Sequence, residues 1–147
     1  VSISPDGTGG IQALKGIDIT GDLTASTSIK SSGPTDGVGY ATGAGGVVTQ
    51  STSKATGVTL NKVCGSITTD NAALASDTSV SFTLTNSAVA LGDVMVLNHV
   101  SGGTLGQYTL NASCGTGSAT ITIRNITGAS LSNALVIGFV LVKAVTA

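Results

Sequence analysis

The sequence predicts an all-β protein: a β-sandwich or jelly-roll-like head preceded by an extended β arm. Three observations predict it. Several segments alternate apolar and polar residues with a period of two, the mark of a strand with one buried face. Gly, Asn, Asp and Ser pairs punctuate these segments at regular spacing. All seven acidic residues are Asp, none is Glu, and lysines are few, so the chain is poor in helix formers.

Composition divides the 147 residues into an arm, 1–57, and a head, 58–147. The arm is rich in Gly, Ser, Thr and Asp. Residues 17–23 alternate and turn at Gly21-Asp22, and residues 27–34 form a short strand stopped by Gly33-Pro34. Residues 37–46 carry five glycines and read as a connector. Ile3, Ile11, Leu14, Ile17, Ile19, Leu23 and Ile29 are isolated apolar pegs in a polar chain. Such pegs need a partner surface to be worth burying, so Ile11, Leu14, Ile17, Ile19 and Leu23 are the candidate attachment residues.

The head reads as seven strands, near 58–64, 65–69, 79–85, 93–99, 108–112, 119–125 and 134–144. Val80, Phe82 and Leu84 face one side of their strand, opposite Ser81, Thr83 and Thr85. Ala119, Ile121 and Ile123 point inward, opposite Thr120, Thr122 and Arg124. One helical turn is expected at 70–75. The last segment departs from alternation, because Leu135, Val136, Ile137, Phe139, Val140, Leu141 and Val142 supply apolar side chains to both faces. Val94, Met95, Val96 and Leu97 do the same. A sandwich covers one face of a strand. The other face then needs an arm or a second subunit, and those seven residues of the last strand are the candidate oligomer interface.

Composition also bears on chemistry. Charged residues make up 9% of the chain, against about 25% in an ordinary domain, which fits a surface largely covered by other subunits. The six cations are scattered singly, which argues against nucleic-acid binding. The longest apolar run, 134–142, is too short for a membrane-crossing helix, which needs about 20 residues. The one histidine, His99, lacks a nucleophile and an orienting acid in its pattern. Asp70, Asp77 and Asp93 have the setting of turn residues rather than of a paired acid and base. The glycines of 37–46 lack the Lys-Ser/Thr end of a phosphate loop. Cys64 and Cys114 read as small buried hydrophobes, with one disulfide as the alternative, and their spacing matches no zinc site. Asn111-Ala112-Ser113 and Asn125-Ile126-Thr127 match the glycosylation sequon. No enzyme activity, cofactor or metal is expected.

One stretch carries a resemblance. Residues 37–69, GVGYATGAGGVVTQSTSKATGVTLNKVCGSITT, resemble segments of tailed-phage and prophage virion proteins, near the C-termini of fibre, spike or head-decoration chains. SVSFTLTNSAV, DVMVLNHVSGG and ATITIRNITGASLSNALVIGFVLVKAV are similar to the same group, so the resemblance spans roughly 17–147. It implies a β-rich homotrimer in the virion, assembled in the bacterial cytoplasm. It implies the major capsid protein or other virion proteins as partners, with a host surface glycan as the alternative partner at a fibre tip. Assembly in a reducing cytosol implies free thiols. No catalytic motif accompanies the resemblance.

Overall fold

A computed structural model describes residues 19–25, 28–31, 33–35 and 37–144. The chain divides into two compact units, Val1–Val38 and Gly39–Ala147. In the first, Ile19, Leu23 and Ile29 are exposed. Ile3, Ile11, Leu14 and Ile17 lie outside the described residues.

The second unit holds eight strands: β1 (Gly45–Thr49), β2 (Val58–Thr59), β3 (Cys64–Thr68), β4 (Ser79–Thr85), β5 (Val94–Ser101), β6 (Tyr108–Gly115), β7 (Ser118–Asn125) and β8 (Val136–Val142). They form two four-stranded sheets, β1-β3-β8-β5 and β2-β4-β7-β6, and the described residues contain no helix. The fold is all-β, as the alternation predicts. Both sheets are mixed: β1 lies parallel to β3 and β2 parallel to β4, and the other pairs are antiparallel. Those two parallel pairs depart from the antiparallel order of a jelly roll.

The core lies between the sheets. Phe82, Leu84, Tyr108, Ala119, Ile121 and Ile123 come from one sheet, and Ile67, Met95, Ile137, Phe139 and Leu141 from the other. Both phenylalanines are spent here, and the remainder is mostly branched aliphatic, the β-formers that pack well on a pleated surface. Each such side chain, fully buried, contributes about 1.5–3 kcal/mol.

The division at 57/58 is corrected. Residues 39–57 belong to the same compact unit as the later strands. β1 runs along β3, and Gln50 and Lys54 are buried. The Gln50 amide donates to the carbonyls of Lys54 (3.1 Å) and Thr56 (2.7 Å), and its oxygen accepts from Asp70 N (3.2 Å). Lys54 Nζ donates to the Asp70 and Asn133 carbonyls, the latter at 2.7 Å. Burial pushes the Lys54 amine below its ordinary range, partly countered by the Asp70 carboxylate. Residues 50–57 are therefore a plug closing one end of the sandwich.

The helical turn expected at 70–75 is also corrected. Leu74 instead exchanges two main-chain hydrogen bonds with Leu131, at 2.9 and 3.0 Å. A helical turn would bond the Leu74 amide to the Asp70 carbonyl. That amide instead bonds Leu131, and that carbonyl accepts from Lys54 Nζ. The fully buried Asn125 braces the bridge. Its amide donates to the carbonyls of Leu74, Ala75 and Ala129, and its oxygen accepts from the amide and hydroxyl of Thr127. Every hydrogen-bonding site of this asparagine side chain is filled inside the protein. The sequon at Asn125 is closed to glycosylation by that burial.

At the opposite end, Asp93 anchors the exit of β8. Its buried carboxylate accepts from Lys143 Nζ (2.5 Å), Ala90 N (2.7 Å) and Ala144 N (3.2 Å). The Lys143 hydrogen bond, then the Ala90 amide, hold this carboxyl below the usual carboxylate range. A depressed folded-state pKa contributes stability that is fully present above the unfolded value, about 3.9 for Asp, and is lost as pH falls through the folded value. Asp93→Asn is therefore expected to lower the melting temperature at neutral pH. Its melting temperature should also fall less steeply than that of the parent protein once the pH drops below about 4. Calorimetry of both proteins from pH 7 to 2 checks this, and parallel curves would contradict it.

Candidate functional site: the outer face of the β1-β3-β8-β5 sheet

Register decides which side chains of this sheet leave the core. Val140 lies opposite Cys64 on one side and Val96 on the other. Gly138 lies between Ser66 and Asn98, and Val142 faces Val94. Ile137, Phe139 and Leu141 point the other way and are buried. The outer face therefore carries Val94, Val96, Asn98 and Val100 from β5, and Val136, Gly138, Val140 and Val142 from β8. It continues with Cys64, Ser66 and Thr68 from β3 and Gly45, Val47 and Thr49 from β1. Val47, Val94, Val96, Val100, Val140 and Val142 are all exposed, Val47 at 82%. No position of this face carries a charge.

The candidate interface is accordingly narrowed. Leu135, Ile137, Phe139 and Leu141 are 0–2% exposed and belong to the core of the single chain. Of the seven residues of the last strand, only Val136, Val140 and Val142 lie on the outer face, with Val136 half-buried. The sequence reading missed Val47, which it left in the arm just beyond the 37–46 connector, and Val100, which lies one residue past the expected strand 93–99. The β-branched run Val47-Val48-Thr49 was a signal for the first, and the period of two through Val94, Val96 and Asn98 was a signal for the second.

The face is hollowed at its centre. Cys64, Val96, Asn98, Gly138 and Val140 line a shallow depression of about 360 Å³. Gly138 lies in the hollow, and a Cβ on residue 138 would stand 3.1 Å from Val100 Cγ2.

The opposite outer face, on the β2-β4-β7-β6 sheet, has contrasting chemistry. Thr59, Ser79, Ser81, Thr83, Thr85, Thr109, Asn111, Ser113, Ser118, Thr120 and Thr122 form cross-strand rows of hydroxyls and an amide. Ser81 and Thr122 hydrogen-bond each other across the strands at 2.8 Å. Arg124, the one charged residue in these rows, pairs with Asp77 at 2.6 Å. The sandwich is thus valine-rich on one outer face and hydroxyl-rich on the other.

The groups considered for chemistry are occupied structurally. His99 Nε2 faces the carbonyls of Ser101 (3.0 Å) and Gly102 (2.6 Å), and the ring meets Tyr108 edge-on at 6.1 Å. Tyr108 donates to Asn133 Oδ1 at 2.9 Å. Asp70 accepts from Ala72 N within its own turn, as expected, whereas Asp77 pairs with Arg124. Cys64 and Cys114 are free and half-buried. Burial, then the Asp93 carboxylate, pushes the Cys114 thiol up. Among the described residues no cluster of three or more His, Cys, Asp or Glu side chains is placed to hold a metal ion. Comparison of the chain with protein-family models, with curated proteins and with solved structures finds no match.

Proposed function

We propose that this protein is a non-enzymatic, trimeric structural component of a tailed-phage virion, either a capsid decoration or cement protein or the knob of a head or tail fibre. The observation that carries the reading is the two-faced sandwich. A valine face with no charge gains free energy by leaving water, and the hydroxyl face does not. A subunit built this way has one face to bury against its own kind and one to present to solvent. The low overall charge and the resemblance of residues 17–147 to virion chains support the same reading. The partners are then further copies of itself and the major capsid protein or another virion protein. The hydroxyl face favours a second reading, a host-glycan contact at a fibre tip, because uncharged rows of donors and acceptors suit sugar hydroxyls.

Reconstruction of the particles that carry the protein tests this. Threefold density on capsomers is the expected result for a decoration protein, and threefold density at appendage ends for a knob. Absence of the protein from purified particles by mass spectrometry would contradict both. A glycan array tests the second reading, which fails if no glycan binds.

A further inference from the structure

We propose that the Tyr40 side chain straps the connector onto the end of β8, so that residues 1–38 are carried from a fixed point and turn only about Gly37, Val38 and Gly39. The strap acts within the second unit and serves whatever residues 1–38 engage.

Three observations define the strap. First, the Tyr40 hydroxyl donates to the Leu141 carbonyl, across 101 positions of the chain. Leu141 is fully buried, and its amide donates to the Val63 carbonyl at 2.8 Å, one residue beyond the last β3–β8 pair, Cys64 with Val140. The ladder ends there, so a main-chain carbonyl in this position needs a partner from outside it, and the tyrosine hydroxyl is that partner. Second, a turn follows at once. Ala44 N donates to the Ala41 carbonyl at 3.2 Å, and Gly43, at the third position of that turn, has a φ of +94°, a conformation that side chains strain. Third, Lys62 Nζ donates to the Gly43 carbonyl at 3.1 Å, a second tie from the connector to the strands. Gly45 then enters β1.

The three residues before Tyr40 have no such ties. Among the described residues none hydrogen-bonds Gly37, Val38 or Gly39. Val38 is 85% exposed, and a Cβ on either glycine would meet nothing within 4 Å. The two compact units divide between Val38 and Gly39. Glycine has the widest choice of backbone conformations, so rotation is open on one side of Tyr40 and blocked on the other. Lys143, two residues beyond Leu141, is held by Asp93. The connector therefore meets the sandwich at its Asp93 end, away from the 50–57 plug.

Amide nitrogen relaxation of the full-length protein reads this residue by residue. Backbone order parameters of about 0.85 are expected at residues 40–44, as in β1, and below about 0.6 at 37–39. Tyr40→Phe keeps the ring and removes only the hydroxyl. It should drop residues 40 and 41 below about 0.6 while β1 and β8 keep their values. Rigid values throughout 37–44 in the unaltered protein would remove the pivot, and low values throughout would remove the strap. Either result overturns the proposal with no variant needed. Unchanged values at residues 40 and 41 in Tyr40→Phe would also overturn it, because the hydroxyl would then not be what holds the connector.

Discussion

Ile137→Asp is expected to abolish cooperative folding. Ile137 is fully buried at the centre of β8, opposite Ile67 on β3 and His99 on β5. The substitution forfeits about 1.5–3 kcal/mol of apolar burial. It also places a carboxyl with no partner in a dry interior, which costs several kcal/mol more whether the group ionises or takes up a proton. A domain of this size has roughly 5–15 kcal/mol in all, so the sum approaches the total. Circular dichroism should show no melting transition at 25 °C. A cooperative melt near that of the unaltered protein would mean that β8 is turned over and that Ile137 lies outside the core.

Lys54→Met carries the second large effect. Methionine replaces the aliphatic stem but donates no hydrogen bond. The carbonyls of Asp70 and Asn133, both bonded to Lys54 Nζ, are then left half-buried and unpaired, at up to about 1–3 kcal/mol each. Removing a cation that burial already disfavours returns part of this. The expected net loss is about 2–4 kcal/mol, read as a lower urea midpoint with unchanged slope. Lys62→Met is the control. Its Nζ makes one exposed bond, to the Gly43 carbonyl at 3.1 Å, and its removal should change stability by less than about 0.5 kcal/mol. Equal effects of the two substitutions would show that the 50–57 plug does not stabilise the unit.

Alternation made the hydroxyl-faced sheet legible in the sequence. β4 occupies the expected residues 79–85, and β7 begins one residue before its expected start. In these strands polar side chains sit on every second residue, so face and register follow from the sequence alone. The valine-faced sheet lacks that cue. In β8, Val140 and Leu141 are equally apolar, and only pairing with β3 and β5 shows that one is exposed and the other buried. The same limit joined β2 to the residues after it. Residues 58–64 read as one strand, yet the chain changes sheet between Thr59 and Cys64, with Lys62 N bonded to the Leu60 carbonyl at 2.9 Å. β1 was hidden by its glycines. Gly46 and Gly65 are apposed in neighbouring strands, where a Cβ on Gly65 would stand 2.5 Å from the Gly46 carbonyl oxygen. Close backbone approach is one of the uses of glycine, but the run shows nothing of the parallel partner that requires it.

The size of the protein in solution, measured with and without one outer-face charge, tests the central claim most directly. Val140 is 42% exposed on β8 and lies outside the core. Val140→Asp should therefore leave the circular dichroism spectrum intact. Light scattering at micromolar concentration should give three chain masses for the unaltered protein and a shift toward one for Val140→Asp. A monomeric unaltered protein, or a trimer that Val140→Asp leaves undisturbed, would contradict the account.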